Sequence, residues 1–216
     1  MDYALNDFLM FTPEVYLRLF ERTHLALEPW FWAVPVAWLV MALLLWRAPP
    51  RARRLVPVAM AAGWGLTAAI FMLQFYAPIN WPVGPFAWLF ALEALLLVLL
   101  ALRVPPVGIG PVVLICWVAV LLALSLMTAL EAGTWQALAL PGVTPDMTAV
   151  TTAVLLMAWP RRWRWGLLMI PLLWCGFSVL VLWALKLWWP LIVPAAGVLI
   201  ILIATFWPTS ESPDNA

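Results

Sequence analysis

The stretch that decides the fold is RAPPRARR at 47–54 followed by LVPVAMAAGWGLTAAIFMLQFY at 55–76. The first piece holds four arginines, and the second holds no charged side chain. An apolar run of this length is typical of a transmembrane helix, because about 20 residues cross the hydrocarbon core of a bilayer. The stretch therefore predicts a helix that enters a membrane at an arginine-rich end.

The same alternation of charged breaks and apolar runs continues along all 216 residues, of which 67% are hydrophobic and 10% charged. A soluble domain has roughly 25% charged residues. Because lipid offers no partner to a free backbone group, long apolar runs in a membrane must be helical. We predict an all-α polytopic bundle of seven transmembrane helices, at about 30–46, 55–76, 85–102, 111–130, 138–160, 166–185 and 190–207.

The fifth helix is the weakest of the seven, since its apolar run covers only 147–160 and we extend it back to Leu138. Charge favours a crossing there. With seven crossings, eight arginines share one side and only Arg18, Arg22 and Lys186 lie on the other. The positive-inside rule then predicts the N-terminus outside and the C-terminus inside. The eight are Arg47, Arg51, Arg53, Arg54, Arg103, Arg161, Arg162 and Arg164.

The two ends of the chain are polar. Residues 1–29 predict an amphipathic helix on the membrane surface, with Thr12 as N-cap, Pro13 in the first turn and Phe11 packed on Tyr16. The last residues, 208–216, predict a disordered tail.

Glu93 is the charged residue inside the apolar runs, close to the middle of the third helix. A carboxylate at that depth is costly, so it either pairs with another group or stays protonated. Asp146 also suits the N-cap of the fifth helix. We predict a small polar vestibule on the outer side, lined by Glu28, Gln74, Asn80, Glu93 and Asp146.

The remaining polar residues indicate no reaction centre. His24, the only histidine, predicts a solvated residue at the interface, and Cys116 and Cys175 predict small buried side chains. Trp88 and Trp174, inside apolar runs, predict packing. We expect no catalytic residue, metal, cofactor or nucleic-acid site. The arginine clusters predict topology signals and contacts with anionic lipids, through Arg47, Arg51, Arg53, Arg54, Arg161, Arg162 and Arg164.

Several segments resemble an uncharacterised family of small bacterial multi-pass membrane proteins, a domain of unknown function. They are FLMFTPEVYLRLFERTHLALEPW at 8–30, FYAPINWPVGPFAWLFALEALLL at 75–97 and TPDMTAVTTAVLLMAWPRRWRWGLLMIPLLWC at 144–175. The chain departs from the family pattern at Met147, where proline is expected, and at Glu93, where an amide is expected. The resemblance implies a bacterial cytoplasmic membrane and no known activity.

Three functions remain open, and the least favoured is a membrane-embedded enzyme, which would need several polar residues at one depth where the sequence offers few. The first is a non-enzymatic integral membrane protein, an accessory or structural subunit that binds a membrane-protein partner or a second copy of itself. The alternative is a proton-coupled or facilitative small-molecule transporter that uses Glu93. A weak repeat, in which an arginine cluster, an apolar run and a Trp-Pro turn recur at 51–85 and 161–194, favours the alternative.

Overall fold

The structure is a computed structural model that describes residues 11–104, 109 and 111–207, apart from the side chains of residues 112, 113 and 116. Every regular element in these ranges is helical. A π-helical segment, Thr67–Tyr76, continues α4 directly, and 3₁₀ turns occupy Trp30–Trp32 and Trp135–Ala137. The predicted tail at 208–216 lies outside the described residues. The α-helices are α1 Pro13–Leu27, α2 Ala33–Arg47, α3 Pro50–Arg53, α4 Leu55–Leu66, α5 Val83–Arg103, α6 Pro111–Ala132, α7 Pro145–Leu156, α8 Arg161–Ala184 and α9 Trp188–Phe206.

Five helical segments in the described part are long and apolar enough to cross a membrane. At 1.5 Å per residue, even the shortest is about 27 Å long, close to the roughly 30 Å of a hydrocarbon core. The predicted all-helical fold is confirmed for the described residues, and the five segments are compatible with the predicted multi-pass membrane protein. The five segments are Trp30–Arg47, Pro50–Tyr76, Val83–Arg103, Arg161–Ala184 and Trp188–Phe206.

The fifth predicted helix, 138–160, is much shorter in the structure. α7 covers only Pro145–Leu156, about 18 Å. Before it, Gly142 has a φ of +78° and turns the chain, and after it Pro160 disfavours helical geometry in the preceding residue. Eleven of the 12 residues of α7 are buried. α7 is therefore a core helix enclosed by its neighbours rather than a helix with a lipid-facing side.

The N-terminal helix α1 is amphipathic, as predicted. Thr12 caps it by accepting a hydrogen bond from the Val15 N–H at 3.5 Å, and the ring of Phe11 stacks on Tyr16 with centroids 6.5 Å apart. The apolar face packs against the π segment and the turn Trp135–Ala137 rather than on open lipid. The buried residues of that face are Tyr16, Leu19, Phe20, Thr23 and His24.

Contacts between helix ends define the two ends of the bundle. At the arginine end, the C-terminal ends of α2 and α5 contact neighbouring linkers, and that of α9 contacts the first turn of α8. The bonds there are Ile109 N to Leu45 O (3.3 Å), Trp159 Nε1 to Val104 O (3.0 Å) and Arg164 Nη1 to Ala204 O (3.0 Å). At the opposite α1 end, Glu131 Oε2 accepts a hydrogen bond from Trp189 N at 3.3 Å.

Candidate functional site

The enclosed helix α7 carries buried polar side chains that bind neighbouring elements. The Thr152 hydroxyl accepts a hydrogen bond from Trp64 Nε1 at 2.7 Å. The Thr148 hydroxyl accepts one from Gly142 N at 2.8 Å and lies 3.2 Å from Thr67 Oγ1. In apolar surroundings such bonds hold helices together. These bonds fix α7 against α4 and the π segment.

Asp146 lies in the first turn of α7, where free backbone N–H groups favour a negative side chain. Its Oδ1 accepts a hydrogen bond from Trp174 Nε1 at 2.7 Å, and Ser178, one turn further along α8, lies beside the carboxyl group. The N-cap position belongs to Thr144. The prediction that Asp146 is the N-cap is therefore wrong, and its side chain contacts α8 instead.

Two buried tyrosines stand next to Asp146. Tyr16 comes from α1 and Tyr76 from the π segment, with ring centroids 5.7 Å apart, and Asn80 Nδ2 donates to Tyr76 Oη at 3.1 Å. Burial raises the pKa of Tyr16, and the nearby charge of Asp146 raises it further, so this phenol keeps its proton at neutral pH. We define the Asp146 cluster as Tyr16, Tyr76, Asn80, Asp146, Trp174 and Ser178.

The π segment explains how one helix supplies two inward-facing polar groups nine residues apart. Thr67 and Tyr76 are both buried. In an α-helix of 3.6 residues per turn, nine residues make two and a half turns and place the side chains on opposite faces. A π turn holds more residues, as the Ala77 N to Met72 O bond of 2.7 Å shows. Nine residues then make close to two turns, so both side chains face the core.

Glu93 stands apart from the Asp146 cluster. Its side chain is fully buried on the inner face of α5, and neither carboxyl oxygen has a hydrogen-bond partner among the described residues. One turn away, the Phe90 ring packs on Trp64 and Trp174, with centroids 4.2 and 5.4 Å apart. These indoles are the ones that donate to Thr152 and Asp146. The rings of Trp64, Phe90 and Trp174 thus connect α5 with the polar side chains of α7.

The five predicted vestibule residues do not line one common cavity. Asn80 and Asp146 meet in the Asp146 cluster, while Glu93 is buried elsewhere. Glu28 and Gln74 are exposed. Sequence reasoning missed the tyrosines and the indole donors, because the pairing of distant apolar segments leaves no local pattern.

His24 differs from its prediction as a solvated residue. It is fully buried, with its ring 4.0 Å from Phe31 and 5.0 Å from Trp135 between centroids. Its Nε2 lies 3.6 Å from an oxygen of Glu28. Within the described part, no group of three His, Cys, Asp or Glu side chains is arranged to hold a metal ion. Cys175 is buried, whereas the side chain of Cys116 lies outside the described residues.

Arg164 also differs from its prediction as a lipid contact. Its side chain is fully buried, and its guanidinium donates to the backbone carbonyls of Met157 (2.9 Å), Trp159 (2.7 Å), Ala204 (3.0 Å) and Trp207 (2.9 Å). Those carbonyls lie at the C-terminal ends of α7 and α9. One arginine therefore caps two helices, where a positive charge is favoured. Arg47, Arg51, Arg54, Arg161 and Arg162 are exposed.

Comparison with protein-family models, with curated proteins and with solved structures gives no match.

Proposed function

We propose that this is a non-enzymatic integral membrane protein that acts as an accessory or structural subunit of a larger membrane assembly. The observation that supports this is the use of its buried polar groups. Asp146, Thr152 and Arg164 are each hydrogen-bonded to another element. Groups that are hydrogen-bonded in this way stabilise the bundle and are not free to take part in a reaction.

The proposed topology has seven crossings, with the N-terminus outside and the C-terminus inside a bacterial cytoplasmic membrane. The stretch from Asp146 to Arg164 supports this alternation, because its two ends make contacts at opposite ends of the bundle. Asp146, at the start of α7, lies beside Tyr16 of α1, and Met157, just past the end of α7, accepts a hydrogen bond from Arg164 at the arginine end. The bacterial location rests on the family resemblance.

The partner of such a subunit would contact α2, which is weakly attached to the bundle. Of the 18 residues Trp30–Arg47, few are buried, and the helix leaves an apolar groove of about 220 Å³ against α6. Helix association in lipid depends on close packing of shapes rather than on hydrophobicity. The groove beside α2 offers a concave surface into which side chains of a partner helix can pack. The buried residues are Phe31, Met41, Ala42 and Leu45.

A cysteine at Leu39, which lines the groove, is expected to form a crosslink to the partner in native membranes. The fully buried Leu45, changed to cysteine in the same background, is the matched control and should form none. Both variants carry Cys116→Ala and Cys175→Ala so that no other thiol reacts. The measurement is the mass of the adduct after treatment with a crosslinker that carries one thiol-reactive group and one photoreactive group, so that the partner needs no thiol. A chain that gives no adduct at Leu39, and runs alone in mild detergent, argues against the subunit proposal.

A second candidate function, proton-coupled or facilitative transport, is favoured by Glu93. A buried ionised carboxyl group without a partner is costly, and uptake of a proton removes that cost. An ionisable side chain within a transmembrane helix is therefore a functional candidate by default. Glu93 would take up and release the transported or coupling proton.

Glu93→Gln is expected to reduce proton flux into liposomes to the level of protein-free vesicles, because glutamine keeps the shape but cannot release a proton. Entrapped pyranine reports the flux under a potassium diffusion potential. Glu21→Gln, on α1 and outside the bundle core, is the control and should keep the wild-type flux. Equal fluxes for the wild type and Glu93→Gln, at equal unfolding temperatures, would exclude this role.

A further inference from the structure

A groove of about 340 Å³ runs between the last turns of α5 and the first turns of α8, at the arginine end. It is separate from the Asp146 cluster and from the α2 groove. The residues that line it include Arg103, Arg162, Trp163, Gly166 and Leu167, together with leucines of α5.

The outer part of this groove is positively charged. Arg103 is the last residue of α5 and Arg162 is the second residue of α8. Both side chains are exposed, and neither forms a salt bridge with a carboxylate among the residues that the structure describes. Two unneutralised guanidinium groups beside one groove favour an anion, which arginine binds through paired hydrogen bonds.

The inner part of the groove is apolar and open. Leucines of α5 and Leu167 of α8 line it. The space beside Gly166 is open, since a Cβ at that position would meet no atom within 4 Å. Trp163 lies beside the arginines, as indole rings do at headgroup depth. The groove therefore changes from cationic to apolar along its length.

We propose that this groove binds one anionic phospholipid, with its phosphate between Arg103 and Arg162 and an acyl chain along the leucines. The sequence predicts only general lipid contacts for the arginine clusters, whereas the groove selects two arginines from different helices. A basic pocket between transmembrane helices at this depth is a recognised setting for anionic headgroups. A zwitterionic lipid would place its own cation near the two guanidinium groups and bind less well. The bound lipid bridges α5 and α8 at their ends.

The test measures the retention of phosphatidylglycerol by native mass spectrometry, and the rise in unfolding temperature that this lipid produces in detergent. The wild type should retain one phosphatidylglycerol and gain stability, with no comparable effect from phosphatidylcholine or inorganic phosphate. Arg103→Gln and Arg162→Gln should each weaken retention about fivefold, since one basic residue near a membrane surface contributes about 1 kcal/mol. Arg51→Gln, an exposed arginine of the same end outside the groove, is the matched control.

A charge-preserving variant separates the groove from general electrostatics. Gly166→Leu fills the apolar part and should abolish retention while leaving both arginines in place. The unfolding temperature of each variant without added lipid reports whether it is folded. Three results would overturn the proposal: equal loss of retention in Arg51→Gln, equal stabilisation by inorganic phosphate, or unchanged retention in a folded Gly166→Leu. The first result indicates unspecific attraction, and the second a free-phosphate site.

Discussion

Arg164→Met is expected to lower the free energy of unfolding by about 3 kcal/mol, because buried carbonyl groups lose a charged donor. The guanidinium donates to four carbonyls, from residues 157, 159, 204 and 207. Methionine fills much of the same space but donates no hydrogen bond. The oxygens of Trp159 and Ala204 then lose their donor inside the protein, whereas the bonds to Met157 and Trp207 are only partly buried. Each unsatisfied buried group costs roughly 1–3 kcal/mol. The measurement is unfolding by sodium dodecyl sulfate in mixed micelles.

The matched control is Arg161→Met, three residues earlier on the same helix. Arg161 is exposed, and its guanidinium lies 5.6 Å from the centre of the Phe206 ring, a contact that contributes about 1 kcal/mol or less. Arg164→Lys should recover only part of the loss, because an ammonium group cannot reproduce the planar fork of arginine. Equal losses in Arg164→Met and Arg161→Met would show that the capping bonds contribute little.

The transmembrane segments were predictable because their signal is local. Each of the five long segments is an apolar run whose charges lie at its ends, such as Arg47 in the first and Arg103 in the third, with Glu93 as the internal exception. In lipid, the backbone N–H and C=O groups of such a run can be hydrogen-bonded within the run only if it is helical. The extent of α7 was not predictable in this way. Its run is interrupted by turn formers at Pro141 and Gly142, and its enclosure depends on which helices surround it.

The position of Arg164 on its helix is a sequence signal for burial. The RRWR cluster reads as three equivalent topology signals, yet only its last arginine is buried. Arg164 extends the inner stripe of α8, which continues through Leu167, Leu168 and Pro171 at helical spacing. An arginine in line with an apolar stripe points to the core. The face of the helix, rather than the cluster, identifies the capping residue.

The contacts of the Asp146 cluster leave no such signal. The Trp174–Asp146 bond joins residues 28 positions apart, and the Trp64–Thr152 bond joins residues 88 positions apart. The faces that meet depend on the rotation of each helix. The π segment makes prediction harder still, because it changes the rotation of the helix between Thr67 and Tyr76. A spacing of 3.6 residues per turn then no longer identifies the side chains that share a face.

Gly63→Ala is expected to destabilise the folded protein by about 1–3 kcal/mol, as overpacking of a core does. A Cβ at Gly63 would lie 2.8 Å from the Cα of Gly142. The obstacle is backbone rather than a flexible side chain. It cannot retreat easily, because the loop is held by the bond from Gly142 N to Thr148 and by the bond from Trp38 Nε1 to Pro141 O. Relief of the clash would move α4 away from the start of α7.

The same helix provides a matched control two residues later. A Cβ at Gly65 would meet no atom within 4 Å, so Gly65→Ala should leave stability unchanged or raise it by up to about 1 kcal/mol, the helix-propensity gain of alanine over glycine. Both variants are measured by unfolding in mixed micelles. If Gly63→Ala is as stable as Gly65→Ala, the close approach of α4 to the Gly142 turn is absent in the folded protein. The placement of α7 beside α4 would then have to be abandoned, together with the Trp64–Thr152 bond that depends on it.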